Sequence, residues 1–542
     1  MSEKIFSKLP QWFNLEEKDH MERPMDAIIT GDVPKWIKGS LYRNGSGLYK
    51  IGPTAWTHLF DGFAVLQRWT FQDGKVTYQS SILDSDDYIK SSKRNRLIAR
   101  GFGSTFPDPC QTLFSRLFSS FVPAPTDLPT NTAINIVEFG DRMFAMTEAP
   151  LINEVMADTL KVKGKSFMTD YLALHIGTAH PHILKDGTMI FYGTNMKYSQ
   201  AYNFVSIPVQ TNSKDCPFSG AKIVATVPSR WKMNISYTHS FGLTEKFFVH
   251  LEQPLTFNVP RLALVVFGRR EVADCLMIHP GESMNILVID KATGMRTPIT
   301  YKGPHGFAFH FINCYEDSDH IVCDLCFSLD GAEGVRNKYL DYLADNFTET
   351  FSCVENVEFA RFVLPLKLDG ATYGKNLVTL PNTTATAVLE KGKKDVLCVS
   401  PETIEGCPVF ELPKINYDYN GVKYRYCYGT TGHAQRRKQL TKLDLQEKCV
   451  LTYDVPDNLT PGEPVFIPRP GATKEDDGVI VSTLVANNND VQSSLVILDA
   501  KSFQELSRAS LPEDIKMSFT FHGNFTNKTF KDHLANGNNG HN

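Results

Sequence analysis

Short runs of alternating apolar and polar residues, each closed by a turn signal, recur from about residue 40 to 522. One such pair is Leu66–Phe71 and Lys75–Tyr78, separated by Asp73-Gly74. Another has Asp186-Gly187 ahead of Thr188–Gly193, and a third has Glu475-Asp476-Asp477-Gly478 ahead of Val479–Ser482. Asp-Gly between alternating residues predicts a β-hairpin, because both turn positions tolerate positive φ. Helical patterns are few, and residues 335–347, from Val335 to Phe347, and 111–121 are the best candidates. The chain is therefore predicted to be all-β. A β-chain this long must remove its exposed sheet edges, and radial repetition of four-stranded sheets, a β-propeller, does so. No strict 40–45-residue repeat is visible, so the blade count does not follow from periodicity. No Pro/Ser-rich linker divides the 542 residues, which predicts one domain. Residues 526–542, including Ala535–Gly540, read as a disordered tail.

Composition narrows the class without deciding it. Hydrophobic residues make up 42%, charged residues 21%, and mean hydropathy is -0.23, which excludes disordered and fibrous chains. A net charge of -4 supplies no basic field for nucleic acid. No apolar run approaches the roughly 18 residues of a membrane-spanning helix. The start, Met1–Phe6, lacks the apolar stretch of a signal peptide. The 11 cysteines are scattered. Cys323 and Cys326 have zinc-like spacing, but no second pair follows and both sit in an apolar β-like run, so they read as structural. A soluble, cytoplasmic protein is expected.

Four of the 15 histidines share a setting at or near the end of a β-like run, with Pro, Gly or a polar residue close behind. They are His180, His239, His310 and His522. Their separations are far too long for a local zinc finger but suit ligands brought together by separate blades. Taken singly, each reads more readily as a structural residue. A rival arrangement is His180 with His182, which would share one strand face at i, i+2.

Several motifs, in order, then carry a resemblance. Arg43-Asn44-Gly45, Phe60-Asp61-Gly62, Phe106-Pro107-Asp108-Pro109-Cys110, His180-Pro181-His182, Tyr237–Gly242, Glu475–Gly478 and Phe521-His522-Gly523 are similar to the animal carotenoid cleavage oxygenases over about residues 25–525. The resemblance implies a seven-bladed propeller with a helical and loop cap over an axial Fe(II), held by His180, His239, His310 and His522. Where many animal relatives read Phe-His-His, this chain has Phe309-His310-Phe311, which keeps the matching histidine. The resemblance also implies that Glu148, Glu411 and Glu463 orient these ligands from behind, each accepting the remaining imidazole N–H. Phe102 and Thr147 match positions of the substrate cleft.

The implied reaction is cleavage of a polyene C=C into two carbonyl fragments with O2 as co-substrate. A carotenoid substrate implies peripheral contact with a membrane surface. Leu113, Phe114, Leu117, Phe118 and Phe121 form one stripe on a helical model, and Leu262, Leu264, Val265 and Phe267 lie in a second apolar run. Both match the family's membrane-facing patch, and Cys110 matches a position associated with palmitoylation. A homodimer is also compatible with the resemblance. Among the family's activities, Leu251–Pro254 and Ile497–Phe503 look like carotene oxygenases, whereas Lys375–Thr384 looks more like the retinoid isomerohydrolase. This combination resembles the insect isomerooxygenases. The expectation is cleavage at the central 15,15′ bond, with trans-to-11-cis isomerisation as a coupled step. Retinyl-ester isomerohydrolysis, eccentric 9′,10′ cleavage and a non-catalytic carotenoid-binding role are the alternatives.

Overall fold

The computed structural model describes residues 2–107, 129–196, 200–210, 216–266, 270–336, 338–350, 356–431 and 438–528. Its strands form seven sheets that serve as the blades of a β-propeller, antiparallel throughout except where Val396–Ser400 returns to pair in parallel with Thr300–Lys302. An additional three-stranded sheet is formed by Asn234–Ser236, Leu255–Asn258 and Leu276–Ile278.

Local turn chemistry builds the blades. Phe63–Gln72 and Lys75–Ile82 pair through a two-residue turn in which Asp73 and Gly74 have φ of 52° and 81°. That is the positive-φ pair a tight hairpin needs to match strand twist. Ser318 and Asp319 (φ 46° and 61°) make the same turn between Phe311–Asp317 and His320–Phe327, without glycine to signal it. At Asp186-Gly187 the hairpin forms but is wider, since Ile183 pairs with Met189. The third expected turn is displaced. Gly478 is already in register with Pro468 and opens its strand, so the reversal occupies residues 469–477.

The expected helix at 335–347 is broken into Gly331–Arg336 and Leu340–Thr350. The Leu59 N–H donates to the Lys338 carbonyl, and the Leu340 N–H donates to the Thr57 carbonyl. Those two bonds draw the intervening backbone out of the helical path. The stripe at Leu113–Phe121, with Cys110, lies outside the described residues. Thr526 ends the last strand, and Lys528 pairs with Glu138 and Asp141. The remainder of the expected tail also lies outside the described residues.

Both ends of the chain close the ring. His522–Thr526 adds to Gly39–Leu48 as the innermost strand of the first blade. Ile28–Gly31 adds to Glu505–Ser510 at the outer edge of the seventh. Buried polar side chains then link each blade to the next around the axis. Asn44 donates to the Asn135 carbonyl, Asn135 to that of Ala179, and Thr178 to that of His239. Ser240 donates to the Phe309 carbonyl, Asn313 to that of Tyr419, and Asn416 to that of Glu475. Arg43 completes the circle by donating to the Glu463 carbonyl. Between blades lie apolar cores. Cys323 and Cys326 are three apart on one strand, so they face opposite sides and enter different cores, as a structural reading requires.

Candidate metal centre

Each of the four histidines stands at the entrance of an innermost strand, not at the end of one. His180 precedes His182–Ile183, His239 precedes Gly242–Leu243, and His310 precedes Phe311–Asp317. His522 is the first residue of the closing strand. Side-chain hydrogen bonds pin these entrances. Thr178 Oγ1 accepts the His180 N–H at 2.9 Å, and Ser240 Oγ accepts the Phe311 N–H at 2.9 Å.

The four rings converge. One ring nitrogen from each lies within 4.8 Å of all the others, and the Nε2 atoms of His180 and His239 are 2.8 Å apart. Nitrogens bound about 2.1 Å from one ion stand roughly 3 Å apart when adjacent and roughly 4.2 Å apart when opposite. The cluster is therefore of the size that one ion requires.

Three carboxylates fix the rings from behind. Glu148 Oε1 accepts from His239 Nδ1 at 2.5 Å, Glu411 Oε2 from His310 Nδ1 at 2.6 Å, and Glu463 Oε1 from His522 Nδ1 at 2.8 Å. A proton on Nδ1 leaves the lone pair on Nε2, the atom turned to the centre. His310 Nε2 is buried without a protein partner, which fits a position meant for an ion. Burial lowers the pKa of His180, His239 and His522; neighbouring imidazoles reinforce this, while Glu148 opposes it at His239. All three rings are thus held neutral, the form that binds metal. Each of the seven blades contributes one member: His522, Glu148, His180, His239, His310, Glu411 and Glu463 in ring order.

Four imidazoles suit Fe(II), zinc, copper or nickel. The four histidines are able to bind a metal ion, and their donor set fits one. The rival use of His182 is overturned. Its ring nitrogens face Asn420 Oδ1 at 3.1 Å and the Phe241 carbonyl at 3.0 Å. His180 lies ahead of the strand that contains His182, so the two-residue period does not place them on one face.

Thr147 is half-buried between the strand Arg142–Met146 and Glu148. The half-buried ring of Phe102 lies 6.0 Å from that of Phe60, which lies 5.9 Å from that of Phe521, beside His522. Leu262, Leu264 and Val265 occupy a helix, Val259–Val266. Leu262 and Val265 pack partly against the core, and Leu264 is half-exposed. Phe267 lies outside the described residues.

Sequence reasoning assigned no role to Arg43 or Tyr237, although both sit in quoted motifs. Arg43 is fully buried and donates to Thr520 Oγ1 and to the Glu463, Thr520 and Phe521 carbonyls, 3.5 Å from Glu463 Oε2. Tyr237 donates to Glu148 Oε1 at 2.8 Å. The cost of burying an arginine inside a β-run was the available signal.

The fold and centre define a class. Residues 15–527 match the family described as retinal pigment epithelial membrane protein, and the chain belongs to that family. It is 34% identical over 522 residues to human beta,beta-carotene 15,15′-dioxygenase, covering 95% of this chain and 94% of that protein. The chicken protein of the same name is 35% identical over 521 residues, covering 95% and 97%. A ferret mitochondrial carotenoid-cleaving dioxygenase is 34% identical over 512 residues, covering 92% and 93%. Among solved structures, cobalt-substituted Synechocystis apocarotenoid oxygenase superposes with a TM-score of 0.72 at 21% identity, covering 95% of this chain and 98% of that one. That likeness establishes the fold.

Proposed function

We propose that this protein is an iron-dependent dioxygenase that cleaves carotenoids of the β-carotene or zeaxanthin type at the central 15,15′ double bond. The observation that carries this reading is the four-imidazole centre, backed by three carboxylates, in a chain about one-third identical to carotene 15,15′-dioxygenases over nearly its whole length. The reaction breaks one C=C bond and forms two C=O bonds, each aldehyde receiving one atom of O2. An Fe(II) held by His180, His239, His310 and His522 would supply open coordination positions and the electrons that let O2 react with a closed-shell polyene.

The chain's own groups do the rest. Glu148, Glu411 and Glu463 fix ring direction and raise ligand basicity. Burial keeps His180, His239 and His522 neutral. Phe60, Phe102 and Thr147 form the wall of the substrate cleft. The aromatic faces of Phe60 and Phe102 stabilise positive charge developing on the polyene by about 0.5–2 kcal/mol each. Trans-to-11-cis isomerisation, coupled to cleavage, is part of the same proposal.

For a substrate dissolved in lipid, contact with a bilayer is required. Among the described residues, no helix is long and apolar enough to cross a membrane. We propose peripheral contact through the helix Val259–Val266 and the stripe at 113–121, with acylation of Cys110 as a second anchor. A homodimer is compatible with this arrangement.

The test is product analysis from pure β-carotene in air and without O2, with retinyl ester as a second substrate. Two retinal-length aldehydes formed only in air support the proposal. Conversion of retinyl ester without O2, with β-carotene untouched, overturns it.

A further inference from the structure

We propose that Asp61 is a positioning residue, whose carboxylate holds the loop carrying Phe102 and thereby determines which double bond of the substrate reaches the centre. This rests on the carotenoid-cleaving reading above.

Asp61 is buried at 2% exposure and accepts three hydrogen bonds from one short loop. Its Oδ1 accepts the Phe102 N–H at 2.6 Å and the Gly103 N–H at 3.0 Å, and its Oδ2 accepts the Ser104 hydroxyl at 2.5 Å. The loop fits closely around the carboxylate, since a Cβ at Gly101 would stand 2.5 Å from its Cγ. A Cβ at Gly103 would meet the His58 side chain at 2.6 Å, so the opposite wall is equally tight. Burial pushes the Asp61 carboxyl up to about 7 although the three donors pull the other way, a sign of full enclosure.

The consequence lies in the rings that the loop and its anchor carry. Phe60 precedes Asp61, and Phe102 supplies the first amide that Asp61 holds. Both rings are half-buried, and they form an edge-to-face series, Phe102 to Phe60 to Phe521, that ends beside His522. One carboxylate therefore ties together two aromatic faces in a series that reaches Phe521, the residue before His522. A polyene is a rigid rod whose double bonds repeat every second bond, so a wall free to give by two bond lengths lets it slide one repeat and present a different double bond. Position along the rod, and with it the choice of bond, depends on a fixed wall.

The experiment compares the full-length chain with D61A and D61N. Asparagine keeps Oδ1 for both amides, and its Nδ2 donates to the Ser104 hydroxyl, so it is the conservative rescue. Amide hydrogen exchange of peptides spanning residues 100–106, bound metal, KM and the fragment lengths from β-carotene are measured for each. For D61A, exchange in that peptide and KM are each expected to rise at least ~10-fold, through loss of charge-assisted hydrogen bonds. A second set of fragment lengths appears while bound metal is unchanged. D61N is expected to restore slow exchange and a single cleavage position. Wild-type exchange or a single set of fragments in D61A overturns the proposal, as does a D61N protein indistinguishable from D61A. If the wild-type chain cleaves no carotenoid, the parent reading fails and bond selection by Asp61 is overturned with it. The exchange arm then separately decides whether Asp61 holds the loop.

Discussion

Replacing Glu463 by alanine separates metal binding from folding, and the structure gives the size of both effects. The carboxylate accepts from His522 Nδ1 at 2.8 Å and from the Gly523 N–H at 2.9 Å. It also lies 3.3 Å from Lys414 Nζ and 3.5 Å from Arg43 Nη1. Loss of a carboxylate behind a metal-binding histidine costs about 10–100-fold in affinity. At about 1.4 kcal/mol per tenfold, that is roughly 1.4–2.8 kcal/mol. Removing Glu463 also leaves the Arg43 guanidinium buried without its carboxylate, and stranding one partner of a buried ion pair costs about 3–5 kcal/mol.

Glu411 is the control. It holds His310 at 2.6 Å, and among the described residues no lysine or arginine pairs with it. E411A should lose metal to the same degree and much less apoprotein stability. Metal titration and urea unfolding of the metal-free proteins measure the two terms. An E463A apoprotein that unfolds with E411A, or binds metal like the wild type, would refute the assignment.

Three further outcomes are expected. Burial pushes His58 and His250 down to about 3, so their stabilising contribution is complete above the unfolded value near 6.5 and is lost as pH falls. Each ring should contribute a slope of about 1.4 kcal/mol per pH unit below 6.5, read from urea midpoints between pH 7 and pH 5. Neither ring nitrogen of His250 has a protein hydrogen-bond partner, and the ring lies tilted 4.0 Å from that of Tyr202 and stacked 5.4 Å from that of Tyr192. H250F should remove its share of that slope and raise stability at pH 7 by about 1 kcal/mol or more, and a loss of stability would show that those nitrogens are satisfied. L264D should weaken sedimentation with phosphatidylcholine vesicles while leaving the melting temperature within about 2 °C, because a half-exposed side chain contributes little to the core.

Alternation and turn chemistry made the all-β architecture legible, because both are local. Asp73-Gly74 announces its hairpin through two residues that accept positive φ. The four metal-site histidines were visible as a recurring setting, but only motif resemblance separated them from His182. Tertiary structure decided that choice. The ring of His182 turns to Asn420 and Phe241, and the start of the strand falls between it and His180. The pairing of carboxylates with imidazoles was equally invisible to periodicity. Glu463 meets His522 across the closure of the ring, and Glu148 reaches past the third blade to His239. The helix expected at 335–347 also yielded to a distant partner, the backbone at Thr57–Leu59. Sequence patterns determine which residues alternate, turn and repeat, since these follow from dihedral preferences over a few neighbours. Which side chains meet at the axis depends on how the blades pack around the ring, a property that no short segment of the chain contains.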